Sequence, residues 1–310
     1  MSHPPLPDTP EAQREARLGL FAALTAYLTW GLLVIYFKAL EPVPPFLILA
    51  HRAVWSVLVL GGLITLLQGW GRVKVALQTA KIRWSLCATA ALIGVNWFVF
   101  IWAVVSDRVL SASLGYYINP LVNVLFGVLF LQERLRRWQM VAIAIAALGV
   151  INQGVSIGAF PGVSVFLAVT FAVYGLIRKT AHVDAVTGLF IEVVIISVPA
   201  LMYFAWLWQM GMDLAPVTGP VQMGLLLASG VITPLPLVMF TIGAKRLSLT
   251  TIGIIQYLAP TLQFATGVYV YGEAFETEQL VTFALIWLAV VIFSWDAYRA
   301  QRRRRASQAV

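Results

Sequence analysis

Three ionisable side chains lie inside long apolar stretches of the sequence. His51 and Arg52 interrupt one stretch, and Glu192 interrupts another. Because a charged group within a bilayer is expensive, such residues usually face a partner, a water-filled cavity or a solute. Arg52 could hold an anionic group of a small molecule, and Glu192 or His51 could carry protons, since histidine titrates near ambient pH. An Arg52–Glu192 ion pair, snorkelling of either chain, or a hydrogen-bonded bundle histidine would explain the same residues by structure alone.

Amide and aromatic side chains near two prolines form a second set of candidates. Pro120 and Pro260 each lie in an apolar run, where proline leaves the carbonyl four residues earlier without its helical partner. In lipid that carbonyl must be satisfied by protein groups or by a cavity. Side chains near such helix breaks could line a pocket, although helix–helix hydrogen bonding and core packing are equally consistent with them. The candidates near the prolines are Tyr116, Tyr117, Asn119, Gln256 and Tyr257. Further aromatic and amide candidates, in other predicted helices, are Trp30, Asn96, Trp97 and Tyr174.

The composition is that of an integral membrane protein. The 310 residues are 60% hydrophobic and 11% charged, whereas soluble domains carry roughly 25% charged residues. The formal net charge of +8 would suggest nucleic-acid binding in a soluble protein. Basic cytoplasmic loops explain it here, so we predict the lipid bilayer as a partner and no nucleic acid.

Charge-free runs and turn residues divide the chain into ten predicted helices. The basic residues support this division. When the N-terminus is placed in the cytoplasm, all but three of the 21 lysines and arginines fall on the cytoplasmic side. The exceptions are Lys38 and Arg108 outside and Arg52 within a span, and both termini are then cytoplasmic. The predicted helices are 18–38, 45–68, 83–105, 109–131, 138–153, 161–178, 185–208, 221–244, 248–271 and 279–298.

The second half of the chain repeats the first. An ungapped shift of 140 positions pairs Pro120 with Pro260 and Arg52 with Glu192. With five helices in each half the second copy is inverted, which places a solute site between the halves near mid-membrane. We therefore predict an all-α membrane protein with ten transmembrane helices as two inverted five-helix repeats. Its segments are a disordered cytoplasmic tail (1–17), the first repeat (18–153), an extracytoplasmic linker (154–160), the second repeat (161–298) and a basic cytoplasmic tail (299–310).

Several other chemistries lack their residues in this sequence. It has no nucleotide-binding loop, no nucleophile elbow and no paired-histidine zinc motif. The three histidines, His3, His51 and His182, are too scattered in the predicted topology to bind a metal, so we expect no metal and no cofactor. The single cysteine, Cys87, allows no intramolecular disulfide. We therefore expect that the chain is not an enzyme.

Short motifs in a fixed order give the chain a resemblance to a known family. It resembles the RarD branch of the EamA-type drug/metabolite transporters over nearly all of 18–298, although Gln132 replaces the usual glycine of one motif. The resemblance implies a ten-helix carrier of the bacterial inner membrane with alternating access. Such proteins are commonly labelled chloramphenicol-sensitivity or chloramphenicol-resistance permeases, and relatives carry amino acids, other metabolites and drugs. The motifs are TrpGly (30–31), AlaHisArg (50–52), AsnTrp (96–97), SerLeuGlyTyrTyrIleAsnProLeuValAsn (113–123), GlnGluArgLeu (132–135), GlnTyrLeuAlaProThr (256–261) and TyrGlyGlu (271–273).

These observations together predict a secondary transporter. We expect it to export small amphipathic or zwitterionic metabolites such as amino acids, with drugs such as chloramphenicol as further candidates and protons as a candidate coupling ion. Two rivals stay open: a membrane receptor that binds a small ligand without moving it, and an intramembrane enzyme. The sequence leaves open the substrate, the direction of transport and the oligomeric state.

Overall fold

All regular structure in the described part of the chain is helical. The computed structural model describes residues 10–131, 136–156, 160–212, 219–244, 246–247, 251–252 and 255–308. A π-helical turn, Thr266–Val270, follows directly after the helix Leu258–Ala265. The helices are α1 (Pro10–Lys38), α2 (Pro45–Leu66), α3 (Trp70–Gln78), α4 (Ala80–Val105), α5 (Val109–Leu131), α6 (Arg137–Ser156), α7 (Gly162–Thr180), α8 (Ala185–Gln209), α9 (Pro220–Ile232), α10 (Pro234–Ala244), α11 (Leu258–Ala265) and α12 (Thr277–Gln308).

Seven helical stretches in the described residues are long and apolar enough to cross a membrane. The chain is therefore a multi-pass membrane protein, and the count of ten crossings stays a prediction. The stretches are Gln13–Lys38, Pro45–Leu66, Ala80–Val105, Arg137–Val155, Ala185–Gln209, Pro220–Ala244 and Gln279–Asp296.

The largest differences between the observed and the predicted helix bounds within the first ten helices and at the chain ends are these. α1 begins at Pro10, inside the predicted tail, and α12 continues through the basic tail to Gln308. α3 occupies a connection for which no helix was predicted. The predicted helix 221–244 divides into α9 and α10 around Thr233, because the prolines at 234 and 236 each lack an amide hydrogen for the helix.

Some predicted features fall outside the described residues. Residues 132–135, which carry one of the recognised motifs, and residues 157–159, within the predicted linker 154–160, are among them. So are residues 248–250 and 253–254 of the predicted helix 248–271.

The helices of the two halves pack on one another in a reciprocal pattern. α1 packs on α10. When the halves are exchanged, α1 corresponds to α7 and α10 corresponds to α4, and α4 packs on α7. α1 also contacts α11 while α5 contacts α7, and α2 contacts α9 while α4 contacts α8. Three further pairs join helices that correspond to one another: α2 with α8, α5 with α11, and α6 with α12. These main contacts between the halves are therefore matched when the halves are exchanged.

The buried apolar side chains form two clusters. One is built mainly from α1, α2, α4 and α8 and includes Phe37, Trp97 and Phe100. The other joins α5, α6, α11 and α12 and includes Tyr117 and Phe283. The first cluster includes Phe37 and Trp97, which contact Arg52, and the α8 residues on either side of Glu192, so its helices position the candidate site.

The N-terminus of α8 is fixed by an aspartate. The Asp184 carboxylate accepts a hydrogen bond from the backbone N–H of Thr187 at 3.0 Å, and Arg72 of α3 lies 3.7 Å away. Partial burial raises the pKa of Asp184, but these hydrogen-bond and charge interactions outweigh it and hold that pKa below its ordinary value. The cap satisfies one of the amide groups that a helix start leaves without a partner.

Candidate functional site

Arg52 is a buried cation with two unused hydrogen-bonding groups. Only 6% of the residue is exposed, and Nε donates to Oγ1 of Thr233 at 2.8 Å. The guanidinium carbon lies 4.0 Å from the centre of the Trp97 ring and 5.7 Å from that of Phe37. Among the described residues no group accepts from its two terminal amino groups, and neither of them is fully sealed from solvent. A planar fork held in this way suits a carboxylate or another small anion.

Aromatic side chains surround the Arg52 guanidinium. Tyr36 and Tyr116 lie within electrostatic reach of it. The Tyr36 hydroxyl donates to the Leu225 carbonyl at 2.7 Å. The Tyr116 ring makes an edge contact with Phe100, at 5.5 Å between ring centres. The surroundings are therefore apolar with a few hydroxyls, an environment suited to an amphipathic solute.

Thr233 is a site residue that the sequence reasoning missed. It lies at the break between α9 and α10, so its hydroxyl is presented to Arg52 of the other half. The available signal was the pair of prolines, Pro234 and Pro236, inside one predicted helix. A helix interrupted at such a point frees polar groups for binding.

Glu192 is fully buried and pairs with Arg178. Its Oε1 accepts from the hydroxyl of Thr89 at 2.6 Å, and its Oε2 accepts from that of Tyr174 at 3.2 Å. Nε of Arg178 lies 3.7 Å from Oε1. The alternative of an ion pair between Arg52 and Glu192 is therefore wrong for this structure. The sequence reasoning missed Arg178 because it counted that residue, at the end of the predicted helix 161–178, only among the basic groups of the cytoplasmic side.

His51 has a structural partner within its own helix. Nε1 of Trp55 donates to Nδ1 of His51 at 3.1 Å, and the ring of Phe204 contacts the imidazole edge-on at 4.9 Å. None of its described contacts joins it to Arg52 or Glu192. This arrangement matches the interpretation of His51 as a hydrogen-bonded histidine of the bundle.

The candidate asparagines connect helices. Asn96 of α4 donates to the Leu167 carbonyl at 3.1 Å and to the Thr170 hydroxyl at 2.8 Å. Asn119 of α5 donates to the Ala168 carbonyl at 3.0 Å. All three acceptors lie on α7. The interpretation of these amides as interhelical links is confirmed for both residues.

Tyr117 and Tyr257 stack on one another between the halves. Their ring centres are 6.4 Å apart with a 19° angle between planes, and the Tyr117 hydroxyl hydrogen-bonds Thr261 at 2.7 Å. α5 continues through Pro120, whereas Pro260 falls in the first turn of α11, where a proline needs no helical amide bond. The predicted break at Pro120 is therefore wrong, because α5 is not interrupted there, and the predicted break at Pro260 lies before that proline rather than at it.

Trp30 and Gln256 lie away from Arg52 and Glu192 in their described contacts. The Trp30 carbonyl accepts from Gln263 of α11 at 3.2 Å, and its ring lies 5.9 Å from that of Phe240. Gln256 is half-buried in the turn before α11. Of the predicted site residues, the structure thus brings Arg52 together with Trp97 and Tyr116, and Glu192 together with Tyr174.

A carboxylate of the second half closes the start of α5. Glu273 accepts from the backbone N–H groups of Val109 at 2.6 Å and Leu110 at 2.9 Å. Nearby, Lys38 pairs with Asp107. A cavity of about 340 Å³ opens beside these groups. The sequence reasoning quoted Glu273 only as part of a motif, because nothing local shows that it caps a helix in the other half.

The fold defines a multi-pass membrane protein, and comparison with known proteins supplies its class, a transporter, and its family. The model for the EamA-like transporter family matches residues 17–152. A Vibrio cholerae protein named an uncharacterized transporter is 46% identical over 97% of this chain and 99% of its own. Protein RarD of Escherichia coli K12 is 42% identical over 94% of this chain and 98% of its own. The chain therefore belongs to the RarD branch of the EamA-like transporters.

A solved crystal structure supports the same fold. It matches 88% of this chain and 96% of its own chain, with a TM-score of 0.57. At 21% sequence identity the match shows a shared fold and nothing about substrate.

Proposed function

We propose that this membrane transporter exports small amphipathic or zwitterionic metabolites, such as amino acids, across the bacterial inner membrane. Drugs such as chloramphenicol are further candidate substrates. The observation that carries the proposal is Arg52, a buried cation whose two terminal amino groups have no protein partner among the described residues. A buried charge retained without a full set of partners is the usual mark of a solute site in a membrane.

The proposed topology has ten crossings in two inverted repeats, with both termini in the cytoplasm. The reciprocal helix contacts support a two-fold relation between the halves. α5 and α7 would supply two of the three crossings beyond the seven long apolar stretches. The segment from 251 to 270 would supply the third. Alternating access then follows if the two halves rock around the site between them.

Arg52 is proposed to bind the anionic group of the substrate. The bond to Thr233 and the stack on Trp97 fix the plane of the guanidinium. A carboxylate could then accept hydrogen bonds from the two free amino groups with both of its oxygens. The neighbouring aromatic rings would cover the apolar part of the solute.

Metabolite profiling tests this function directly. Cells that overproduce the chain and cells that lack it are compared for small molecules in the medium. A set of carboxylate-bearing metabolites should rise with overproduction, and Arg52→Ala should abolish that rise at unchanged expression. Arg108→Ala is the matched control, because Arg108 also stacks on a tryptophan, Trp102, at 5.0 Å but is exposed. Unchanged export by Arg52→Ala would show that Arg52 has a structural role only.

Coupling to protons is part of the proposal. Two buried or half-buried titratable groups, Glu192 and His51, lie on helices of membrane-spanning length. Purified chain in liposomes should move the metabolite identified by profiling faster when a pH gradient is imposed. A flux that ignores the gradient in both directions would remove proton coupling and leave the transport function standing.

A further inference from the structure

The hydrogen bonds of Glu192 fit both protonation states of its carboxyl group. The Thr89 hydroxyl has one hydrogen and two acceptors within reach, Oε1 of Glu192 at 2.6 Å and the Leu86 carbonyl at 3.1 Å. When Glu192 is ionised, Thr89 donates to it. When Glu192 carries a proton, the carboxyl can donate to the Thr89 oxygen, and Thr89 turns its hydrogen to Leu86. In both protonation states, every buried donor and acceptor at this contact has a hydrogen-bond partner.

The counter-charge of Glu192 is held loosely. The Arg178 Nε is 3.7 Å from the carboxylate, beyond hydrogen-bonding distance. Nη1 of Arg178 is buried without a partner among the described residues, and Nη2 reaches the Asp184 carbonyl only at 3.4 Å. A buried guanidinium with an unmade hydrogen bond is costly, and the cost rises further when the carboxylate that balances its charge is neutralised. Loss of the carboxylate charge would therefore favour movement of the guanidinium toward water.

Arg178 lies in a slot that only glycine permits. Its Nη1 would be 1.8 Å from a Cβ atom built at Gly188 of α8. The guanidinium thus rests directly on the α8 backbone and fills the space between α7 and α8. Departure of the side chain would leave a passage there, because no side chain at Gly188 could take its place.

We propose that Glu192 is the proton-binding residue of the transporter and that Arg178 is the gate that its charge holds closed. A proton from the aqueous phase converts the carboxylate to a carboxylic acid, and the net charge of the pair changes from zero to +1. Arg178 then leaves Gly188 and opens the approach between α7 and α8 toward Arg52. This inference rests on the transport function proposed above and identifies its coupling site.

The other charged groups near α8 are occupied elsewhere. On α2, His51 is bonded by Trp55 and Arg52 donates to Thr233. On α3, Arg72 faces Asp184 rather than Glu192. The basic residues at the start of α4 are exposed, and the described part of α10 carries no charge. From α7, Tyr174 and Arg178 are the groups that face the carboxylate.

Ser56 offers a reporter for the opening. It lies one turn after Arg52 on the same face of α2, with Cβ atoms about 5–6 Å apart, and it is fully buried. Its hydroxyl has no partner among the described residues, so Ser56→Cys loses no hydrogen bond. Gln78→Cys, at an exposed position on α3, is the reference variant, because it measures how fast a solvent-exposed thiol reacts at each pH.

The test measures thiol labelling of the full chain in lipid nanodiscs. Each cysteine is placed in a Cys87→Ser background and labelled with a charged methanethiosulfonate reagent at about pH 6 and about pH 8, because a buried carboxyl gains its proton more readily as the pH falls. The labelling rate at Ser56→Cys, relative to Gln78→Cys, should rise up to about tenfold for each unit of pH lowered. When Glu192→Gln is added to the Ser56→Cys chain, labelling should be as fast at about pH 8 as at about pH 6. When His51→Gln is added instead, labelling should still become faster as the pH falls.

Two further variants protect the test against misfolding. Thr89→Val removes the hydroxyl that serves both states but keeps both charges, and it should diminish the pH response, which Thr89→Ser should restore. Equal slow labelling at both pH values, with and without Glu192→Gln, would overturn the proposal in favour of a static ion pair. A pH response that survives Glu192→Gln would overturn it as well.

The outcomes separate this inference from the transport function. If labelling ignores pH while Arg52→Ala abolishes metabolite export, transport stands and the coupling site is wrong. If labelling responds to pH but overproduction changes no metabolite in the medium, the transport function is refuted. The coupling role of Glu192 is then refuted as well, because the opening is coupled to no solute.

Discussion

Arg52→Lys separates the geometry of the guanidinium from its charge. Lysine keeps the positive charge but has one ammonium in place of the planar fork. It cannot donate to Thr233, stack on Trp97 and bind a carboxylate with two groups at once, as the arrangement around Arg52 allows. The variant should therefore be produced and inserted normally but should bind substrate poorly.

The expected size of the effect follows from the bonds that are lost. Replacing the two open amino groups of Arg52 by one ammonium removes at least one charge-assisted hydrogen bond to the substrate. Such a bond contributes about 1.5–3 kcal/mol. At 1.4 kcal/mol for each factor of ten, substrate affinity should fall about 10- to 150-fold.

The assay is concentration-dependent uptake into liposomes of the metabolite that profiling identifies. The half-saturating concentration should rise by the factor above, whereas the thermal unfolding midpoint should fall only slightly. Thr233→Val is a companion variant, since it removes only the hydroxyl that fixes Nε of Arg52. Wild-type affinity in Arg52→Lys would refute two-point recognition by the guanidinium and leave at most a role for its charge.

Three further predictions concern stability. Gly31→Ala would place a Cβ 2.8 Å from a leucine of α11, so it should destabilise the chain by about 1–3 kcal/mol. Gly62→Ala is the control: open space surrounds Gly62, so this change should not lower the thermal unfolding midpoint. Glu273→Ala removes the carboxylate that caps α5 and should cost about 1–2 kcal/mol, and hydrogen exchange at the start of α5 should accelerate, whereas unchanged exchange would contradict the cap. Asp184→Ala removes the cap bond to Thr187 and should cost about 1 kcal/mol at neutral pH. Because the pKa of Asp184 is depressed in the folded chain, this difference should be complete above the unfolded value of about 3.9 and vanish as the pH falls further. Thermal unfolding from neutral to acid pH measures it, and a difference that persists in acid would count against the charged cap.

One local pattern, hydropathy, predicted most of the helical framework. Hydropathy located the spans from 45 to 66 and from 185 to 209 to within two residues of the observed helices, because a bilayer demands a long apolar run wherever the chain crosses it. The same pattern missed α3, whose short amphipathic sequence is too polar to count as a span. The break at Thr233 was present in the sequence as two prolines, but hydropathy alone does not register it.

The candidate site was predicted residue by residue but not as an arrangement. Arg52, Trp97 and Tyr116 were all named, and so were Glu192 and Tyr174. Their partners Thr233 and Arg178 were not. Partner choice depends on how each helix is rotated about its axis, and hydropathy averaged over a span contains no such information.

The sequence by itself determined that the chain is a membrane protein with a cation and an anion inside its apolar runs, and it predicted two related halves. These properties follow from composition, from the shift that aligns the halves and from the position of each charge within its apolar run. Only the tertiary structure decided which groups meet those charges. Arg52 finds Thr233 across 181 residues, and Glu192 finds Thr89 across 103. Such contacts arise when helices from both halves pack together, because burial forces each polar group to take whichever partner the packing brings within reach.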